Sequence, residues 1–201
     1  MYPLVGFDME RYRQDTIAAL GLSRGDTVVE LGCGTGLNFG YVQRAIGPEG
    51  TIIGVDLTDS MLDVARTRVA REGWANVELI QADVAQWQYR SEIAGVYSTL
   101  ALTLVAEYDM VIQRASQALK PGGRFAILDM KEPINWPFWA IRLAAWMNRP
   151  FGVSLDLAER HPWESVRRYL IETQYREYYF GALYLCAGQK AGAEPGPGGA
   201  G

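Results

Sequence analysis

Three glycines alternating through five residues, with carboxylates spaced downstream of them, are the groups of this chain that could do chemistry together. Val28-Val29-Glu30-Leu31 is a β-branched apolar run that meets an acid, and Gly32-Cys33-Gly34-Thr35-Gly36 follows it directly. A strand that turns through glycines into a helix aims backbone N–H groups and a positive helix end at one place, which suits a nucleotide-like ligand. Gly32, Gly34 and Gly36 serve there because a Cβ would block the turn's dihedrals or the ligand's approach. Asp56 closes the next apolar run, where a carboxylate can accept both hydroxyls of a ribose. Asp83 follows the third run, where it can accept from the amino group of adenine, and Leu57 and Met61 add apolar surface for the ring. The dinucleotide fingerprint wants Gly or Ala at position 37, and Leu37 stands there, which argues against a nicotinamide oxidoreductase.

These groups need elements to carry them. Strands read at Thr27–Leu31, Thr51–Asp56, Val77–Ala82, Gly95–Thr99 and Arg124–Met130, and helices at Phe7–Leu20, Leu37–Ala45, Asp59–Glu72 and Val105–Leu119. The alternation predicts βαβ units and an α/β fold: a doubly wound, mostly parallel seven-stranded sheet with helices on both faces. Tyr175–Phe180 and Ala182–Gly188 read as two aromatic-rich strands joined near Gly181, an antiparallel C-terminal hairpin. Thr58 or Asp59 reads as a helix cap, and Lys120-Pro121-Gly122-Gly123 as a helix stop and turn. Residues 1–190 form one domain with a lid-like insertion at about 131–165, and Ala191–Gly201, rich in Gly, Pro and Ala, is expected to be a disordered tail.

The 201 residues are 49% hydrophobic and 21% charged, enough for one domain with a sizeable core. A net charge of −4 argues against broad binding to nucleic acid. Cys33 and Cys186 fit no disulfide framework and no metal spacing, so no metal is expected and a reducing, cytoplasmic setting is. Asp8 and Glu10 stand where a signal peptide needs an apolar run, and no segment reaches membrane-spanning length.

Four motifs in order carry a resemblance. They are Val28-Val29-Glu30-Leu31-Gly32-Cys33-Gly34-Thr35-Gly36, Gly54-Val55-Asp56, Ala82-Asp83-Val84 and Leu119-Lys120-Pro121-Gly122-Gly123. The series resembles the class I methyltransferases that use S-adenosylmethionine, over roughly Val28 to Met130. Asp56-Leu57-Thr58-Asp59-Ser60-Met61-Leu62 and Gly123-Arg124-Phe125-Ala126-Ile127-Leu128-Asp129 add a likeness to the group acting on quinone precursors or bacterial phospholipids. The resemblance implies S-adenosylmethionine as cofactor. It implies that Glu30 supports the loop and, indirectly, the methionine amino group, while the loop Gly32, Cys33, Gly34 and Gly36 approaches the methionine portion. Asp56 would take the ribose, Leu57 and Met61 the adenine face, Asp83 and the backbone of Val84 the adenine edge, and Ser98-Thr99, ending the fourth strand, would lie beside the methionine moiety. Two departures stand out. Ala94-Gly95 opens the fourth strand where the family often has an acid, and Leu100-Ala101-Leu102-Thr103-Leu104 follows it where the family often has histidines, so a polar catalytic wall is expected to be missing. Related proteins also carry a further helix ahead of the first one here, and the stretch from Met1 leaves little room for it, as in a short form or a truncated reading frame.

His161, the sole histidine, suits a general base near neutrality, although His161-Pro162 before Trp163-Glu164-Ser165 reads equally as a plain helix start. Cys33 reads as a small residue that fits its loop, and Tyr169, Tyr178, Tyr179 and Tyr184 as packing. Asn135–Phe151 holds Trp136, Trp139 and Trp146 among Arg142 and Arg149. It reads as a core helix, or as a lid over a lipophilic pocket whose tryptophans make peripheral contact with the inner face of a membrane. The expected activity is methyl transfer to a small lipophilic acceptor, a lipid amine or a quinone precursor. The alternatives are a catalytically silent module that binds S-adenosylmethionine and an enzyme for a soluble small molecule. An amine needs only delivery in its deprotonated state, whereas a phenol or quinol needs a base, and the apparent lack of one tilts the reading toward the amine.

Overall fold

The computed structural model describes residues 9–131 and 160–192. In chain order these form α1 Met9–Ala19, β1 Thr27–Leu31, α2 Phe39–Ile46, β2 Thr51–Asp56, α3 Asp59–Glu72, β3 Val77–Gln81, β4 Ile93–Thr99, α4 Tyr108–Ala118, β5 Leu119–Met130, α5 Pro162–Tyr169, β6 Ile171–Tyr178 and β7 Leu183–Gln189. One seven-stranded sheet runs β3-β2-β1-β4-β5-β7-β6. The first five strands are parallel, and β7 inserts antiparallel between β5 and β6. The expected α/β architecture and C-terminal hairpin are present. Most of the insertion expected at about 131–165, with Trp136, Trp139 and Trp146, lies outside the described residues, as does the tail from 193.

The two-residue period of a strand builds both cores. Val29, Leu31, Ile53, Val55, Val96, Phe125 and Ile127 face one side, where Val111, Ile112 and Ala115 of α4 and Val166 of α5 cover them. Val28, Ile52, Tyr97 and Ala126 face the other, against Ile17 of α1, Phe39, Val42 and Ile46 of α2, and Leu62 and Ala65 of α3. Strand order reverses between β1 and β4, and ligands of such sheets bind at that reversal, beyond the carboxyl ends of the strands.

Several local readings change. The helix expected from Val105 begins at Tyr108, after a single 3-10 turn at Leu102–Leu104. Lys120–Gly123 is not a turn before the strand but a bulge within β5: Ile93 pairs with Leu119 and Gly95 with Arg124, so four residues loop out between them. Thr58 sits at the cap position of α3 without a side-chain capping bond, its own N–H held instead by Asp56 Oδ1 at 2.9 Å.

Candidate functional site

The loop after β1 is bound to the end of β2. The N–H groups of Gly32 and Cys33 both donate to the carbonyl of Val55, at 2.8 and 3.0 Å, and the N–H of Gly34 donates to Asp56 Oδ2 at 2.8 Å. Asp56 thus uses one oxygen on the loop and the other on Thr58, and each retains lone-pair capacity for a further donor. The three glycines differ in what demands them. A Cβ at Gly32 would lie 2.4 Å from Cβ of Ala101, and one at Gly36 would lie 2.6 Å from the Phe39 ring, so packing excludes it. At Gly34, with φ +52°, a Cβ would meet nothing within 4 Å. The space before Gly34 is open, and Asp56 borders it. Leu57 and Met61, exposed beside Asp56, offer the apolar surface an adenine ring needs, so these residues fit S-adenosylmethionine.

Beneath the loop lies a buried polar network that crosses the sheet's reversal point. Glu30, 1% exposed, accepts from Asn38 Nδ2 and from the Tyr97 hydroxyl at 2.7 Å. Asn38 Nδ2 also donates to Thr99 Oγ1 at 2.8 Å, while Arg13 Nη1 of α1 donates to Asn38 Oδ1 at 2.9 Å. Burial pushes the Glu30 carboxyl up to about 7, against the opposing pull of its Tyr97 and Asn38 hydrogen bonds and of the Arg13 charge. Arg13, half-buried, has five N–H donors and spends one on this good contact, leaving others at the loop's edge.

The remaining expected residues fall on the same edge with differing employment. Asp83 closes its own turn, accepting from the N–H of Ala85 at 2.9 Å and from Gln86 Nε2 at 3.3 Å, and Val84 beside it packs into the core. Ser98 is fully buried and donates to the Leu31 carbonyl at 3.0 Å, which ties β4 to β1. Cys33 is buried, and that burial, with the charges of Glu30 and Asp56, pushes its thiol up, away from any nucleophilic role. His161 precedes α5 as its cap residue, half-exposed, with Nδ1 3.4 Å from Glu164 and its ring 4.7 Å from that of Trp163. Its neighbour Arg160 donates to the Thr103 carbonyl at 2.8 Å, so α5 begins beside the segment that follows β4. Among the described residues, no group of three or more His, Cys, Asp or Glu is placed to hold a metal ion.

Sequence reading passed over Arg13, Asn38 and Tyr97, and placed Thr99 only by its position at the end of β4. Tyr97 carried a usable signal, because aligning β4 with β1 places it directly beside Glu30. Arg13 carried none, since its place depends on how α1 docks.

Residues 28–123 match the family described as a methyltransferase domain. The chain is 30% identical over 142 residues to a demethylmenaquinone methyltransferase of Listeria monocytogenes serotype 4a, a match covering 69% of this chain and 59% of that protein. It is 33% identical over 126 residues to the ubiquinone/menaquinone biosynthesis C-methyltransferase of Pseudomonas putida, covering 62% and 49%. The matches therefore span 59% and 49% of the length of these relatives. In fold it is similar to the geranyl diphosphate C-methyltransferase of Streptomyces coelicolor, crystallised with Mg2+, geranyl diphosphate and S-adenosyl-L-homocysteine. That likeness has a TM-score of 0.71 at 15% identity and covers 91% of this chain and 81% of that one.

Proposed function

We propose, from the match of residues 28–123 to the methyltransferase-domain family, that the chain is an S-adenosylmethionine-dependent methyltransferase acting on a small lipophilic acceptor. A quinone precursor is the favoured class. The observation that carries the cofactor assignment is the open space at Gly34 bordered by the Asp56 carboxylate. The relatives that methylate menaquinone and ubiquinone precursors support the acceptor class and move the balance away from a lipid amine.

When bound, S-adenosylmethionine supplies an electrophilic methyl group on a sulfonium. The chain's own work is to bind, orient and exclude water. Asp56 accepts from the ribose hydroxyls. Leu57 and Met61 cover the adenine ring, and Asp83 with the Val84 backbone reads its edge. Arg13 takes the methionine carboxylate, for which a half-buried guanidinium with spare donors is well suited. Glu30 acts through Asn38 and Tyr97, which hold the loop and the end of β4 in register.

Calorimetric titration with S-adenosylmethionine, then incubation of the protein with the labelled cofactor and a total lipid and quinone extract, tests this reading. A labelled lipophilic product supports it. Tight cofactor binding without a labelled product in any fraction would favour the catalytically silent module.

A further inference from the structure

Asp129, Thr103 and Tyr184 meet where β5 ends, β7 begins and the segment after β4 passes, and the roles above leave all three unused. Asp129 is 4% exposed; its Oδ2 accepts the N–H of Thr103 at 2.9 Å and its Oδ1 the N–H of Met130 at 2.8 Å. Tyr184 lies directly opposite Asp129 in the β5–β7 ladder and is fully buried, close enough for the Asp129 charge to help push its phenol well up. The hydroxyls of Tyr184 and Thr103 are both buried and lie close to one another and to Asp129, yet neither makes a hydrogen bond of good geometry. A buried hydroxyl without a well-formed hydrogen bond is costly, and folded proteins keep few of them. Two of them beside a carboxylate with lone pairs to spare mark a place for a polar group brought from outside.

The surroundings say which kind of group. Trp163 meets the Tyr184 ring edge-on at 4.9 Å, and Lys131 Nζ lies 5.2 Å over the Trp163 ring. Arg160 is bonded to the carbonyl of Thr103 itself. The residues immediately after Thr103 and Asp129 are Leu104 and Met130, 48% and 39% exposed, so the chain next to the cluster carries exposed apolar surface. An ammonium group fits this place poorly. It has no lone pair to receive the Tyr184 and Thr103 hydroxyls, and the Arg160 guanidinium is already bonded to the Thr103 carbonyl. A hydroxyl both donates and accepts.

We propose that Asp129, Tyr184 and Thr103 form the polar end of the acceptor site and take a ring hydroxyl of a phenol- or quinol-type acceptor. The acceptor's O–H donates to Asp129, and its oxygen receives the Tyr184 and Thr103 hydroxyls. When that hydroxyl ionises, its O–H bond breaks, the electron pair stays on the acceptor oxygen, and the proton passes to a carboxylate oxygen of Asp129. This assignment rests on the methyltransferase reading and supplies the base that the apolar stretch Leu100–Leu104 lacks.

The test uses the full chain and three probes: 1-naphthol, 1-methoxynaphthalene and dodecylamine, titrated by calorimetry with and without S-adenosylhomocysteine. The parent should bind 1-naphthol about tenfold more tightly than its methyl ether, and more tightly than the amine. Tyr184→Phe, Thr103→Val and Asp129→Asn should each erase most of that preference while leaving S-adenosylhomocysteine affinity within about twofold. Because Asp129→Asn also disturbs a buried carboxylate, Tyr184→Phe, which only removes an unbonded oxygen, is decisive. Naphthol binding unchanged in Tyr184→Phe would overturn the proposal and leave a cluster filled by internal water. Tighter binding of the amine would overturn the hydroxyl class. A parent that holds naphthol selectively but does not bind S-adenosylhomocysteine would instead sink the methyltransferase reading.

Discussion

Asp56 holds Gly34: the carboxylate that ends β2 accepts the loop's backbone N–H at 2.8 Å, so the ribose-binding group and the open step of the glycine loop form one rigid piece. Asp56→Ala would remove both the acceptor for the ribose and the tether of the loop. The expected loss of S-adenosylmethionine affinity is about 1–3 kcal/mol, roughly tenfold to a hundredfold, measured by calorimetry. An unchanged affinity would remove Asp56 from the site.

Gly34 and its two neighbours should part company under substitution. Gly34→Val meets no protein atom close to its Cβ but strains the backbone at φ +52°, so the loop should shift locally, circular dichroism should stay close to the parent's, and cofactor binding should be lost. Gly36→Ala drives a methyl group into the Phe39 ring and should lower the thermal midpoint whether or not the cofactor is added. Normal binding by Gly34→Val would place the cofactor elsewhere.

Arg13 offers a sharper test of how the cofactor lies. If its guanidinium holds the methionine carboxylate, Arg13→Ala should weaken S-adenosylhomocysteine about tenfold and leave 5′-methylthioadenosine, which lacks the amino-acid end, unaffected. Equal weakening of both ligands would mean that Arg13 merely props Asn38 and Thr99.

Two buried carboxyls set the direction of the pH dependence. Glu30 is raised from 4.5 to about 7 and Asp129 from 3.8 to about 6, both chiefly by desolvation. Between their ordinary and their raised values the folded chain holds protons that the unfolded chain has released. Stability therefore falls as pH rises through that window, by an amount on the order of 3 kcal/mol for each group. Asp109 and Glu177, held low by their hydrogen bonds, act in the opposite sense and only in more acidic solution. Urea midpoints should be higher at about pH 5 than at about pH 7.5, and Glu30→Gln, which cannot titrate, should flatten the difference. A midpoint that climbs over this range would contradict the burial of both groups.

What the sequence disclosed follows from which forces are local. β1, β2 and α3 fall at Thr27–Leu31, Thr51–Asp56 and Asp59–Glu72, as read, because their apolar period and flanking glycines are properties of a dozen residues. The bulge at Lys120–Gly123 escaped, since Pro and Gly after a helix announce a turn whether or not a neighbouring strand continues the pairing around it. The glycine loop and Asp56 were legible through their spacing. Ala94-Gly95 and Leu100–Leu104 offer no polar wall on their side of the sheet, and the polar end proposed for the acceptor draws mainly on residues elsewhere. Asp129, Thr103 and Tyr184 come from three separate segments, and only the β5–β7 register sets Asp129 opposite Tyr184.

The tryptophans between β5 and α5 supply the last prediction, which rests on sequence and on exposed apolar surface. Leu104 and Met130 are exposed at the carboxyl edge of the sheet, and Phe180, in the turn between β6 and β7, is exposed at the same end. Trp136, Trp139 and Trp146, with Arg142 and Arg149 among them, follow β5 directly in the chain. If that segment admits a lipophilic acceptor from a bilayer, the protein should co-sediment with vesicles, and more strongly with anionic ones because the arginines add attraction to the aromatic insertion. Trp139→Ala and Trp146→Ala should each reduce the bound fraction at constant thermal midpoint. Raising the salt concentration should weaken the anionic preference without abolishing the aromatic contribution. A parent that ignores both kinds of vesicle, with variants that lose tens of degrees of thermal midpoint, would make these tryptophans ordinary core. The acceptor would then reach the Asp129 cluster from water, as a soluble phenol rather than a membrane quinol.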